Sequence, residues 1–459
     1  MILGNASLVI MSNDGGSEGL APISPVNREM GLKSYIPVWW SSLIVVQAFA
    51  VAFFAVYPQG QLNLFQATIA CLIGAAFVTV FFILNGFPGY EEGIPFAVQT
   101  RSAFGARGSI IPNLIRITPA IAWFGVGNWI GAQAILTITE TLWGFGNIWV
   151  YFFLFLLLNV ALAWGGVTSI EWFDSIAAGV IIILLAYTVY IVLSTRGIPQ
   201  EVITHSGSWG MQFITVIAAS VGVIITGALN ASDLSRHLEQ SDGAGNHVIG
   251  ASIGIFPPLL FMLLVGITFG VSTGNPNPIA AIMTVAPTPL VGTMMLVFIL
   301  GAQISTNLTL NILPPTHVFQ DTLGVSWKQG ILITGVLSVV TFPWVLFSSQ
   351  WFFTFINFYS AFLGPALGIL IADYWIVHGR FNDVDALYDK SQNSRFWYVS
   401  GVSPSAILAL LIGVGASIPI LSLSWMIGFP VGLVTYVFFR RVNLDGYLAG
   451  TRTATKSVD

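Results

Sequence analysis

Charge is what this chain has least of. Of its 459 residues only 15 are Lys or Arg and 19 are Asp or Glu, 7% in all, against 55% hydrophobic residues and a mean hydropathy of +0.84. Soluble domains carry about 25% charged residues. No water-soluble core could bury this much apolar surface, so the composition requires a polytopic membrane protein. The net charge of −4 says little, because the charges sit between the apolar runs. Cysteine is nearly absent. The one residue, Cys71, lies inside an apolar run, which excludes a disulfide within the chain and gives no metal cluster. The five histidines, His205, His237, His247, His317 and His378, lie in loops or at the ends of apolar runs. They form no HExxH pair and no visible Ser–His–Asp set, so the sequence does not read as an enzyme. Residues 1–34 are polar and rich in Gly, Ser and Asn. They lack the basic start and apolar middle of a cleaved signal peptide and are expected to form a cytoplasmic tail.

What is present is apolar length. A helix needs about 20 apolar residues to span the hydrocarbon. Twelve runs qualify, some only with a kink: 36–57, 64–84, 110–138, 148–165, 170–194, 211–231, 248–272, 289–313, 329–347, 351–376, 404–421 and 422–439. Short Gly, Pro, Asn or charged links separate them. With the N-terminus inside, thirteen of the fifteen basic residues fall on the cytoplasmic side, leaving Arg196 outside and Arg116 within the third span. This bias predicts an even number of spans with both termini cytoplasmic; the expected location is the plasma (inner) membrane.

Four spans carry polar groups that must face protein or a cavity, because facing lipid is costly. The first has Gln47. The third has Trp123 and Asn128 in IAWFGVGNWIGAQAI. The sixth has Gly222, Thr226, Gly227 and Asn230 in SVGVIITGALNASDLSR. The eighth has the densest group, GAQISTNLTLNILPP (301–315). There Ala302, Ser305 and Thr306 fall at i, i+3 and i+4, one helical face. Hydroxyl and carbonyl oxygens so placed suit a small hard cation beside an unwound helix; small polar residues also pack helices closely. Asn311, five and six residues beyond the hydroxyls, offers an amide donor and acceptor. Trp123 lies mid-span, away from either interface, and is a stacking platform or a packing residue. Asn128 is roughly 140° around an ideal helix from it. Glycines 222 and 227 weaken helix continuity and predict a broken sixth span. The charges read as structural: Asp233 and Arg236 as a cytoplasmic pair, Arg116 as a snorkelling or acid-paired cation, Glu171 and Asp174 at a helix N-terminus.

The segments GIPFAVQTRSAFGARGSIIPNLIR (93–116), AWFGVGNWIGAQ (122–133), LNASDLSRH (229–237), ISTNLTLN (304–311) and LGPALGILIADYWIVHGRFNDVDALY (363–388), in this order, resemble the nucleobase–cation symport family. The resemblance runs from about residue 25 to 440. It implies an all-α polytopic membrane protein with 12 transmembrane helices, in a leucine-transporter-type 5+5 inverted repeat plus two C-terminal helices. Its parts would be a tail at 1–34, helices 1–5 at 35–194, helices 6–10 at 195–376, a cytoplasmic loop at 377–403, helices 11–12 at 404–440 and a tail at 441–459. It also implies a cation-coupled importer of a planar nitrogen heterocycle, such as a purine, cytosine or another pyrimidine, or of an allantoin- or hydantoin-type compound, with Na+ or H+ as the coupling ion. Carried over residue by residue, Trp123 is the stacking tryptophan and Asn311 and Gln47 are polar substrate contacts. Gly127, with Asn128 beside it, stands where the family usually has a polar substrate ligand. Ile224 stands where a second aromatic is common. The cation site would use the carbonyls of Leu43, Val46 and Ala302 and the hydroxyls of Ser305 and Thr306. The expected partners are a small-molecule substrate and the lipid bilayer, with no nucleic acid and no obligate protein partner. No Gly or Pro stands beside Gln47 to mark a break in helix 1.

Overall fold

The structure, a computed structural model, describes residues 18–165, 179, 183, 186–348, 351–380 and 383–450. Among these the elements are helical and no sheet forms. Helices α1 (Leu32–Leu43) and α2 (Val46–Phe53) make one span bent by 52°. Then come α3 (Leu64–Glu92), α4 (Phe96–Phe104), α5 (Ile110–Trp143), α6 (Ile148–Trp164) and α7 (Ala186–Thr195). A short α8 (Gln200–Thr204) precedes the sixth span, which is cut into α9 (Met211–Gly222), α10 (Ile225–Leu229) and α11 (Ala231–Ser235). Helices α12 (Gly245–Thr273), α13 (Pro278–Val285) and α14 (Pro289–Thr306) follow, and a π-helical segment, Asn307–Ile312, carries α14 into α15 (Leu313–Leu323). The chain ends with α16 (Trp327–Val340), α17 (Pro343–Leu346), α18 (Phe352–Ala372), α19 (Val384–Tyr388), α20 (Pro404–Ser417), α21 (Ser424–Arg441) and α22 (Leu444–Leu448).

Helices stand where the expected spans fall within the described residues, and six helical stretches there, or seven with the bent pair, are long and apolar enough to cross a membrane. Most of the expected fifth span, with Glu171 and Asp174, lies outside them. Ordinary end signals set the limits. Asn63 and Gln66 form a reciprocal capping box at the start of α3, which ends at Gly93 with φ 73°. Helices α1 and α2 pack on α12, and α3 packs on both α9 and α12. Apart from this large core, Phe124, Phe155, Val160, Leu308, Ile312 and Ile331 form a second one among α5, α6, the π-helical segment and α16.

Three departures from regular helix meet in the interior. Between α1 and α2, Ile44 and Val45 leave helical geometry (ψ 65° and 117°). The hydroxyls of Ser41 and Ser42 both donate to the Val38 carbonyl, at 3.0 and 2.7 Å. Such back-bonding competes with the helical ladder and bends it. The sixth span breaks at Val223–Ile224, directly after Gly222. The π-helical turn precedes Pro314 and Pro315, whose missing N–H groups free the carbonyls of Leu310 and Asn311.

The first described residues are held against the folded body. Leu20 is buried with Ala97, Ile117, Ile121 and Val318. Its carbonyl accepts from the Tyr388 hydroxyl at 2.6 Å.

Candidate functional site

The three irregular segments converge on one small cavity of about 20 Å³. That is room for about one water molecule, so a ring-sized ligand needs these walls to part. It is lined by Val45 from the break in the first span, Gln47 of α2, Trp123 of α5, Val223, Ile224 and Thr226 from the broken sixth span, Thr306 of α14, and Leu310 and Asn311 of the π-helical segment. Of the residues singled out in the sequence, Gln47, Trp123, Ile224, Thr306 and Asn311 therefore share one chamber. Sequence reasoning did not assign Val45, Val223, Leu310 or Thr226 to it. Only Thr226 carried a signal, a hydroxyl within an apolar run.

Aromatic and aliphatic walls face this space, with amides at the edges. Trp123 is 4% exposed. Its ring packs against Phe355 at a centroid distance of 5.3 Å and Phe352 at 6.0 Å. Gln47 donates from Nε2 to Gln303 Oε1 at 3.4 Å, while its own Oε1 is buried without a partner. Asn311 donates from Nδ2 to Asn307 Oδ1 at 3.1 Å. Each amide is thus fixed by a neighbour on the eighth span and keeps an oxygen for an incoming donor.

Gly127 and Asn128 are placed differently. A side chain at Gly127 would collide with the Asn307 amide, so this glycine admits the residue that holds Asn311. Asn128 donates to the Phe124 carbonyl at 2.8 Å and accepts from Asn159 Nδ2 at 3.0 Å, joining α5 to α6. It is absent from the cavity lining. The angular distance from Trp123 is the physical reason.

Next to the cavity, the first-span break lies against α14. Thr306 Oγ1 donates to the Ser42 carbonyl at 3.1 Å. Leu43, Val46, Ala302 and Ser305 are buried beside it, and the Ser305 hydroxyl has no protein partner. These are hard, neutral oxygens at a helix discontinuity. Among the described residues no group of three His, Cys, Asp or Glu side chains could hold a metal ion.

Two ionic expectations are corrected. Arg116 neither snorkels nor pairs with an acid. It is fully buried, donates from Nε to Asn230 Oδ1 at 2.9 Å, and from Nη2 to the Leu310 carbonyl at 3.0 Å. The cause is Pro314, which leaves that carbonyl without its helical donor. Asp233 does not pair with Arg236. Its Oδ1 accepts from the Phe96 amide at 2.9 Å and stands 3.7 Å from His317 Nδ1, a carboxylate at the N-terminus of α4. Arg236 instead donates to the Gly19 carbonyl at 2.8 Å. Nearby, Asn85 of α3 donates to the carbonyls of Ala228 and Leu229 at 2.9 and 2.6 Å, satisfying the end of α10.

Known proteins share this arrangement of chain. Residues 22–439 match the family described as permeases for cytosine/purines, uracil, thiamine and allantoin. The hydantoin permease of Microbacterium maritypicum is 26% identical, over 91% of this chain and 87% of that protein. The allantoin permease of Bacillus subtilis (strain 168) is 24% identical, over 95% of this chain and 96% of that protein. Mhp1, a nucleobase-cation-symport-1 family transporter solved in a closed conformation with bromovinylhydantoin bound, has a TM-score of 0.82 at 25% identity, covering 95% of this chain and 97% of its own. A multi-pass helical chain that keeps this match across nearly its whole length is a membrane transporter of small molecules and not an enzyme, and it belongs to the cytosine/purine, uracil, thiamine and allantoin permease family.

Proposed function

We propose that the protein is a cation-coupled secondary active importer of a small planar nitrogen heterocycle, working by alternating access. Its ligand stacks on Trp123, with Val223 and Ile224 opposite. The oxygens of Gln47 and Asn311 and the hydroxyl of Thr226 meet the ring edge. The coupling cation sits at the first-span break, among the carbonyls of Leu43, Val46 and Ala302 and the hydroxyls of Ser305 and Thr306. The observation that carries this reading is the Thr306–Ser42 bond beside the unpartnered Ser305 hydroxyl, on the rim of the Trp123 cavity. Neutral oxygens favour Na+ over a proton, since none of them holds a proton reversibly near neutral pH.

Coupling follows from shared geometry. Thr306 lines the ligand cavity and also touches the break, so a cation that rigidifies the break orders one wall for the ligand. The first, second, sixth and seventh spans would then rock against the third, fourth, eighth and ninth, as two inverted five-helix repeats. The protein would sit in the plasma membrane with both termini cytoplasmic.

The aliphatic wall of Val223 and Ile224 favours a compact cyclic ureide, of hydantoin or allantoin type, over a wide purine. An aliphatic wall tolerates an sp³ ring carbon, and the permeases of Microbacterium and Bacillus named above handle such compounds. The test is thermal stabilisation of purified protein by hydantoin, allantoin, uracil, cytosine and hypoxanthine, each with and without sodium. The expected result is stabilisation by a cyclic ureide that grows with sodium. It should be lost in Trp123→Ala, where one stacking contact is worth about 2 kcal/mol, roughly thirtyfold in affinity. Equal stabilisation of Trp123→Ala and wild type would remove Trp123 from the site.

A further inference from the structure

Tyr359 of α18 touches both walls of the cavity without lining it. Its hydroxyl accepts from the Trp123 indole Nε1 at 3.3 Å and donates to the Gly222 carbonyl at 2.8 Å. Gly222 is the last residue of α9, and the next two, Val223 and Ile224, line the cavity together with Trp123. A carbonyl at a helix end lacks its helical donor and needs another. The approach is close because position 222 has no side chain: a Cβ there would lie 2.9 Å from Ile356 Cγ2 and 3.2 Å from Ser360 Oγ, on the same face of α18.

We infer that Tyr359 is a positioning residue for substrate selection, its single hydroxyl fixing the gap between the Trp123 platform and the broken sixth helix; this rests on the cavity being the transport site. Both hydrogen bonds are saturated by one oxygen, so neither wall can shift without losing a partner for a buried polar group. The ring of Tyr359 also packs against Phe355, at a centroid distance of 4.9 Å, so the phenol cannot swing away freely. A cavity clamped in this way accepts a ring of set thickness and discriminates against bulk at the wall side.

Tyr359→Phe keeps the ring and deletes the hydroxyl. Two measurements on the purified full-length chain decide the proposal: calorimetric binding of hydantoin and of 5-benzylhydantoin, and backbone hydrogen exchange of residues 223–227 without ligand. The expected result is about tenfold weaker hydantoin binding with little loss for 5-benzylhydantoin, and faster exchange confined to 223–227. The same fold loss for both compounds would show a general structural role and overturn the selection role. Unchanged exchange at 223–227 overturns the clamp whether or not either compound binds. If wild-type protein binds neither compound, the reading of the cavity fails separately, and the exchange result alone upholds or overturns the tie between Tyr359 and the broken helix.

Discussion

The first and sixth spans are both broken beside the cavity, yet the two breaks are built differently. The sixth breaks where the backbone is weak: Gly222 ends α9, and the freed groups find partners on α18 and α3, through Tyr359 and Asn85. The first breaks between Ile44 and Val45, two residues that favour extended backbone and carry no flexibility of their own. Its partner is Thr306, which reaches across to the Ser42 carbonyl. One break is closed by fixed protein groups. The other is closed in part, since the Ser305 hydroxyl and Gln47 Oε1 beside it have no protein partner. On the function proposed above, the open one is where ions and ligands would add binding energy, and the closed one is where shape is set.

Thr306→Val breaks this contrast most severely. The substitution keeps the volume, strands the Ser42 carbonyl and deletes an oxygen from the proposed cation site. A buried group left unsatisfied costs about 1–3 kcal/mol. With the lost ion contact, sodium-linked ligand binding should weaken roughly a hundredfold. Titration of sodium against ligand-dependent melting measures it, and a sodium response equal to that of wild type would place the cation elsewhere.

Gly222→Ala addresses the closed break and should be milder. The added methyl meets Ile356 and Ser360, and overpacking of this kind costs roughly 1–3 kcal/mol. The expected outcome is a lower melting temperature with the sodium dependence of ligand binding intact. Loss of sodium dependence in this variant would mean that both breaks serve the ion and that the division between them is wrong.

Much of this was legible in the sequence because bilayer physics is strict. Apolar length placed the helices that the described residues show, and amides in an oily run had to face protein, as Gln47 and Asn311 do. The glycines of the sixth span announced its break. The first-span break was not legible, since its causes are two serines bonded to Val38 and a threonine from the eighth span, 264 positions from its carbonyl partner. Arg116 was misjudged for a similar reason. Its partner Asn230 is 114 positions away, and the free carbonyl of Leu310 follows from a proline that reads as a simple kink. Tyr359 gave no sign at all, because a tyrosine in a membrane helix is ordinary until its hydroxyl is seen between two helices.

The smallest effect separates a packing amide from a binding one on the same helix. Asn128 lies one and a half turns beyond Trp123, but its side chain is used up by Phe124 and Asn159. Asn128→Ala removes the α5–α6 bond and leaves the Asn159 amide short of a partner, which costs about 1 kcal/mol of stability. Affinity for the heterocycle should stay within about twofold of wild type, since no cavity-lining group moves. Asn311→Ala removes an amide that does line the cavity, so its loss should appear in affinity more than in melting. A drop in ligand affinity for Asn128→Ala as large as for Asn311→Ala would mean that α5 turns during transport and brings Asn128 to the ligand, and the cavity would then have a third amide on the Trp123 side.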